Sequence, residues 1–177
     1  MNRSVYVGWG KKDKSGDRDE NNTRLEDAVK LVEYIKSLIP TNRIIWCPFD
    51  TDDSSIVIAL KREGYQVVNT HIDTGGDFFE TEVECSCIIS NPPFQNRTKI
   101  FKRLYSFNKP FIMLQPTQAF NNQAYVQMLI ENNEHIGFLC PEERMRFISD
   151  GKLRPRDTAF YSFWHCYKIG IKGFMKL

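Results

Sequence analysis

The chain has 177 residues, enough for one domain with an ordinary core and too few for a second of any size. With 41% hydrophobic and 26% charged residues it has the composition of a soluble globular protein. No apolar run reaches the roughly 18 to 20 residues that span a bilayer, and Met1–Gly10 lacks the apolar core of an export signal, so a cytoplasmic protein with no membrane partner is expected.

Ser4 to Trp9 is predicted as a short strand or extended arm. Lys11 to Asn22 is densely charged, contains Gly16 and reads as a mobile loop, so residues 1–22 divide from a folded unit over 23–177. From Thr23 onward, Leu25, Ala28, Val29, Leu31, Val32, Ile35, Leu38 and Ile39 recur at helical spacing until Pro40. Arg43 to Phe49 is a compact apolar run and predicts a buried strand, with Asp50 at its C-terminal end. Asp52 or Asp53 is placed to cap a helix carrying Ile56, Val57, Ala59 and Leu60, which Gly64 ends. Gln66 to Ile72 reads as the second strand, with Asp73 just after it. The loop Thr74-Gly75-Gly76-Asp77 then leads into Phe78 and Phe79. Cys85 to Ser90 is the third buried strand and delivers Asn91-Pro92-Pro93-Phe94. Lys99 to Phe107 is predicted helical, Pro110 to Gln115 is a fourth strand followed by a polar loop, and Gln123 to Asn132 is a helix. Ile136 to Cys140 and Ala159 to Tyr167 read as two further strands joined by a polar, basic connection.

This alternation predicts an α/β fold, a mostly parallel sheet with helices on both faces. Ligands of such sheets bind at the C-terminal ends of the strands, and Asp50, Asp73, Asp77 and Asn91 fall there. The interval from Asp73 to Asn91 is too short for a full strand and helix, so one sheet element should be shortened or lost. The five cysteines lack paired Cys-x-x-Cys or His spacings, so reduced, mostly buried thiols and no metal site are expected.

The tetrapeptide suggests a chemistry. An adenine amino nitrogen is a poor nucleophile because its lone pair is delocalised into the ring. Two acceptors receiving its hydrogens would favour the tetrahedral form that attacks an electrophilic methyl. The Asn91 side-chain carbonyl and the Pro92 backbone carbonyl can be those acceptors, held in place by two consecutive prolines. Phe94 can stack on the base, which a duplex substrate would have to flip out. The plainer alternatives are a stiff turn for Asn-Pro-Pro and a helix cap for Asp50.

Ile88-Ile89-Ser90-Asn91-Pro92-Pro93-Phe94 resembles the catalytic motif of amino-group DNA methyltransferases, Asp/Asn/Ser-Pro-Pro-aromatic. The resemblance extends to the small adenine N6-methyltransferases of phages and mobile elements, through Trp46-Cys47-Pro48-Phe49-Asp50, Gly64, Val67-Val68, Gly75-Gly76-Asp77-Phe78-Phe79, Lys109-Pro110-Phe111 and a late aromatic strand. It covers roughly residues 43 to 167. It implies a single-domain, Rossmann-like class I methyltransferase fold over 23–177 with an antiparallel C-terminal strand. It also implies S-adenosylmethionine as cofactor, DNA as partner and the adenine N6 amino group as acceptor. Asn91, Pro92, Pro93 and Phe94 would be catalytic. Pro48, Phe49 and Asp50 would line the methionine end of the cofactor, Asp50 facing its ammonium. Asp73 would hold the ribose hydroxyls, Asp77 and Phe78 the cofactor adenine, and Thr23 would close over it. The usual Gly-x-Gly after the first strand is replaced by Pro48-Phe49-Asp50-Thr51, and the Thr-Pro that often opens the first helix is Thr23-Arg24.

A net charge of +2 gives no overall field to draw nucleic acid, so binding needs local clusters. Arg97, Lys99, Lys102, Arg103 and Lys109 form one; Arg144, Arg146, Lys152, Arg154 and Arg156 form another. Arg97, Lys99, Arg144, Arg146, Arg154 and Arg156 are the candidate contacts, with Arg144 and Arg146 on one strand face. Tyr161, Phe163, Trp164 and Tyr167 are core residues or, where exposed, stacking platforms. DNA could be duplex or single-stranded, and the protein a monomer or homodimer. The alternatives are adenine in RNA, a glutamine amide in a protein, or a catalytically inactive binding protein such as a phage counter-defence factor. A dinucleotide oxidoreductase is disfavoured because no Gly-x-Gly-x-x-Gly occurs.

Overall fold

The computed structural model describes residues 22–149, 152–153 and 160–177. The expected strand at Ser4–Trp9, nearly all of the charged loop, Arg154 and Arg156 lie outside the described residues. Apolar runs and helical patterns become, in chain order, β1 (Asn22–Thr23), α1 (Leu25–Ile35), β2 (Ile44–Cys47), α2 (Ser55–Arg62), β3 (Gln66–Asn69), β4 (Cys87–Ser90), α3 (Arg97–Ser106), β5 (Phe111–Pro116), α4 (Gln123–Glu131), β6 (Ile136–Cys140), β7 (Phe147–Ser149), β8 (Lys152–Leu153), β9 (Ser162–Tyr167) and β10 (Gly173–Lys176).

Seven strands form one sheet in the order β10-β6-β9-β5-β4-β2-β3, and β1, β7 and β8 form a small second sheet. In the large sheet, β9 alone runs antiparallel to its neighbours β5 and β6. Strands β4, β5 and β9 are buried at every position, as continuous apolar strands covered on both faces should be. Alternate side chains sort to the two faces. Ile45, Cys47, Trp164 and Cys166 pack under α1 and α2, whereas Trp46, Phe163 and Tyr167 pack under α3 and α4. This is the Rossmann-like architecture set out for the class I methyltransferase fold, with its antiparallel late strand. Among the described residues, no helix is long and apolar enough to cross a membrane.

Between β3 and β4 the chain forms neither a strand nor an α-helix. The segment there holds a 3-10 turn, Ile72–Thr74, and an irregular stretch. Arg103 of α3 pins that stretch by donating to the carbonyls of Phe78 (2.9 Å) and Thr81 (3.3 Å) while its guanidinium lies 4.8 Å from the Phe107 ring centre. Gly64 ends α2 with φ 87°, a conformation that suits glycine.

Several boundaries differ from expectation. Helix α1 ends at Ile35, not at Pro40, because Leu38 and Ile39 both donate to the Ile35 carbonyl and wind into a turn. The second strand stops at Asn69, not Ile72. Its partner β2 ends at Cys47, opposite Asn69, and beyond that level only Thr70 still bonds across, to Cys47 and Asp50, before the chain turns at Ile72–Thr74. Neither Asp52 nor Asp53 caps α2. Ser54 holds that position, Asp52 pairs with Lys61 (2.8 Å), and Asp53 accepts from Thr51 Oγ1. The basic connection after β6 contains β7 and β8, and an exposed edge strand, β10, follows β9. It forms where the chain passes Gly137 so closely that a Cβ there would stand 2.5 Å from the Ile171 carbonyl oxygen.

Candidate active site

Strands β2 and β4 are parallel neighbours, Ile45 opposite Cys87 and Trp46 opposite Ile88, so the chain leaves both at the same edge of the sheet. Asp50 follows the first and Asn91 the second. Their loops are cross-linked. Ser90 Oγ accepts from the Phe49 N–H (3.2 Å) and donates to the Asp50 carboxylate. The Asn91 backbone N–H donates to the same carboxylate. Asp50 is 6% exposed, and no basic side chain pairs with it among the described residues. Burial pushes its carboxyl up from 3.8 to about 6, against the hydrogen bonds from Ser90, Ser54 and Asn91. The loop after β2 is otherwise closed on itself: the Asp50 N–H donates to the Thr70 carbonyl (3.3 Å) and the Thr51 N–H to Ser54 Oγ (3.0 Å).

Asn91 Nδ2 donates to Thr23 Oγ1 at 3.3 Å, which fixes the donor end of the amide. Thr23 is buried in β1, opposite Phe147 of β7. Phe147 in turn meets the Phe94 ring edge-on at 6.5 Å, and Phe160 meets it at 5.9 Å. The small sheet thus walls the tetrapeptide on two sides. Pro92 is buried; Pro93 and Phe94 are half-buried. Sequence reasoning missed Ser90, Phe147 and Phe160. The available signals were a lone hydroxyl ending an apolar strand and isolated aromatics in a basic stretch.

The other expected cofactor residues divide. Pro48 and Phe49 are buried beside Asp50, and the Phe49 ring rests on Phe78 at 4.7 Å. Phe78 is 1% exposed and packs between Trp46 and Phe49, so it supports the site from beneath. Asp77 is half-buried and accepts from the Phe79 N–H at 2.8 Å. Asp73 is exposed in the 3-10 turn, beyond the end of β3, where its N–H donates to His71 Nδ1 (3.2 Å). Asn69 occupies the strand end and reaches the Asp50 carbonyl at 3.5 Å.

Of the expected phosphate contacts, Lys99 and Arg144 are exposed. Arg97 turns inward, Nε donating to Gln115 Oε1 at 2.7 Å, and burial lowers its pKa. Arg144 and Arg146 do not share a strand face: β7 begins only at Phe147, and both precede it in irregular chain. Phe163, Trp164 and Tyr167 are core residues, as is the whole of β9. His165 of that strand lies between the hydroxyls of Tyr105 (3.2 Å) and Tyr125 (2.8 Å), and burial pushes its pKa down to about 3.

No protein-family model matches the sequence, and no curated protein matches it. Among solved structures, the chain is similar to a candidate class I S-adenosylmethionine-dependent methyltransferase from Listeria monocytogenes, at 11% identity and a TM-score of 0.48. That match covers 88% of this chain and 65% of the other, so this chain spans about two thirds of that protein's length. It is also similar to a candidate RNA methyltransferase from Pyrococcus horikoshii, at 14% identity and a TM-score of 0.47, covering 85% of this chain and 88% of that one. At 11% and 14% identity, neither likeness speaks to this chain's substrate.

Proposed function

We propose that this chain is an S-adenosylmethionine-dependent methyltransferase acting on the N6 amino group of adenine in DNA. The observation that carries this is the Asn91 amide at the end of β4, its nitrogen held by Thr23 and its backbone tied to the buried carboxylate of Asp50. Holding Nδ2 on Thr23 leaves Oδ1 as the acceptor end, and the Pro92 carbonyl supplies the second acceptor. Together they receive the two amino hydrogens and favour a tetrahedral, nucleophilic nitrogen. The bound cofactor supplies the electrophilic methyl on sulfur. With it bound, transfer of that methyl from sulfur to the nitrogen would release one amino hydrogen as a proton to solvent, while Asn91 and the Pro92 carbonyl hold the nitrogen in place.

The residues present fit the cofactor in one specific respect. A buried carboxylate without a cationic partner is costly, and a ligand ammonium would offset that cost. Asp50 therefore takes the methionine ammonium, with Pro48 and Phe49 against the adjacent carbons. Asp77 and the exposed Asp73 flank the ribose and adenine. Phe94, half-buried between Phe147 and Phe160, stacks on the target base, and Lys99 and Arg144 contact phosphate.

Calorimetry with S-adenosylmethionine and a tritiated-methyl assay on duplex DNA, single-stranded DNA, RNA and a glutamine peptide test this. We expect transfer to DNA, and its loss in Asn91→Ala with cofactor binding retained. Transfer by Asn91→Ala at the wild-type rate, or no cofactor binding at millimolar concentration, refutes it. Transfer confined to RNA or peptide refutes the DNA assignment.

A further inference from the structure

Strand β5 continues three residues past the level at which its neighbour β4 ends, Ser90 standing opposite Met113 and β5 running on to Pro116. It then winds into a 3-10 turn, Thr117–Asn121, and directly into α4. One strand spacing across and about three residues along put the start of this turn roughly 11 Å from Asn91, and Phe120 lies farther across, over Phe163 of β9 and Phe138 of β6. Gln118, Phe120, Asn121 and Gln123 are exposed there. Phe120 is 38% exposed, and its ring is held against Phe163 at 5.2 Å and 31°, with Tyr125 and Phe138 in T-shaped contact at 6.2 and 6.0 Å. The turn is braced on both sides. The Thr117 N–H donates to the Tyr161 carbonyl (2.8 Å), Asn122 Oδ1 accepts from the Tyr125 N–H (2.9 Å), and Thr98 Oγ1 lies 3.4 Å from that oxygen. Thr98 belongs to α3, the helix that follows Phe94.

The surrounding sequence has a one-sided charge. Between Glu84 and Glu131 there is no acidic residue and there are five basic ones. Of these, Lys99 and Lys102 are exposed on α3, the helix that packs against α4, and can meet a phosphate. The turn itself bears no charge, only carboxamides and an aromatic ring. Carboxamides read base edges, adenine above all, and an aromatic face stacks on any base. This composition suits bases and not the phosphate backbone.

We propose that the Thr117–Asn121 turn and the first turn of α4 form the docking surface for the nucleotide flanking the target adenine. Phe120 stacks on its base, and Gln118 and Gln123 contact its edge. That the docked nucleotide flanks the target rests on the methyltransferase reading of Asn91; the binding itself does not.

Fluorescence anisotropy with labelled DNA and RNA strands of one mixed sequence, roughly 16 nucleotides long, tests it at several salt concentrations. Phe120→Ala should weaken binding about five- to a hundredfold, and Phe120→Trp should restore it. The slope of affinity against salt should not change, because no phosphate contact is removed. Gln118→Ala/Gln123→Ala, at exposed positions that leave folding intact, should weaken binding several-fold. Cofactor affinity should be unchanged in every variant, and the strand bound more tightly identifies the polymer. Wild-type binding by Phe120→Ala or by the double variant, a changed salt slope in Phe120→Ala, or no binding of either strand by the wild type overturns the proposal. Phe120-dependent binding without methyl transfer leaves this surface standing and removes the methyltransferase reading. Methyl transfer with binding and turnover indifferent to Phe120 removes this surface alone.

Discussion

Replacing Asp50 with asparagine should make the folded protein more stable at neutral pH and worse at holding its cofactor. The wild-type carboxyl is raised from 3.8 to about 6 by burial. That difference, about 2 pKa units at about 1.4 kcal/mol each, means roughly 3 kcal/mol of folding free energy is forgone once the group ionises. The sign follows from proton binding. Between pH 3.8 and about 6 the folded state keeps a proton that the unfolded state has released, so stability falls as pH rises through that window and stays lower above it. His165 acts in the opposite sense. Its pKa is pushed down to about 3, so below 6.5 the unfolded state takes up a proton first and stability falls as pH falls. Urea unfolding of both proteins between pH 4 and 8 separates the two, because the histidine slope is common and cancels in the difference. The advantage of Asp50→Asn should be near zero at pH 4 and grow until about pH 6. The hydrogen bonds from Ser90, Ser54 and Asn91 are already contained in the raised pKa, so the net gain at pH 7 is about 3 kcal/mol, or roughly 6 to 12 degrees in Tm for a chain of this size. Calorimetry should show cofactor affinity reduced at least tenfold, since a neutral amide does not offset an ammonium. Wild-type affinity should likewise decline below pH 6, as the carboxylate protonates. A variant no more stable than wild type at pH 7 would refute the account of a strained carboxylate. A stabilised variant with undiminished cofactor affinity would refute its pairing with the ammonium.

Thr23→Val removes the acceptor that holds Asn91 Nδ2. In steady-state kinetics kcat should fall about tenfold, the worth of roughly one hydrogen bond in orienting the amide, while cofactor affinity stays within about twofold. Gly137→Ala places a methyl 2.5 Å from the Ile171 carbonyl oxygen. Denaturant unfolding should show a loss of about 1 to 3 kcal/mol or more, and a stable variant would mean that β6 and the 169–171 segment part easily.

The sheet was legible where sequence and burial share a local cause. β2, β4, β5 and β9 are apolar at successive positions because both their faces are covered, and no neighbour information is needed to see it. The short strands were not, because their cause is remote. β1 has two residues and β7 three, too few to carry a period, and they exist because Thr23 pairs with Phe147 across more than a hundred residues. The end of β3 failed for a similar reason. Val67 to Ile72 stays strand-like in composition, yet the ladder stops where β2 stops. Phe147 and Phe160, in the wall around Asn91, share this invisibility, whereas Thr23 is reached through the family resemblance, which assigns it to the cofactor and not to its bond with Asn91.

The missing Gly-rich loop has a physical consequence for what the site can hold. Phosphate sites at such loops use backbone N–H groups left free to point at the anion. Here the N–H groups of Phe49, Asp50 and Thr51 are all spent internally, on Ser90 Oγ, the Thr70 carbonyl and Ser54 Oγ. What the loop offers instead is the buried carboxylate of Asp50, beside which no cation stands among the described residues. A dinucleotide pyrophosphate would meet an acid and no free donors among these residues. A ligand with a positive end would meet the one group whose ionisation the fold makes expensive. The same substitution that leaves the loop unlike a glycine-rich turn therefore favours a ligand with a positive end, and Ser90 Oγ and the Asn91 N–H both tie the Asp50 carboxylate to the end of β4.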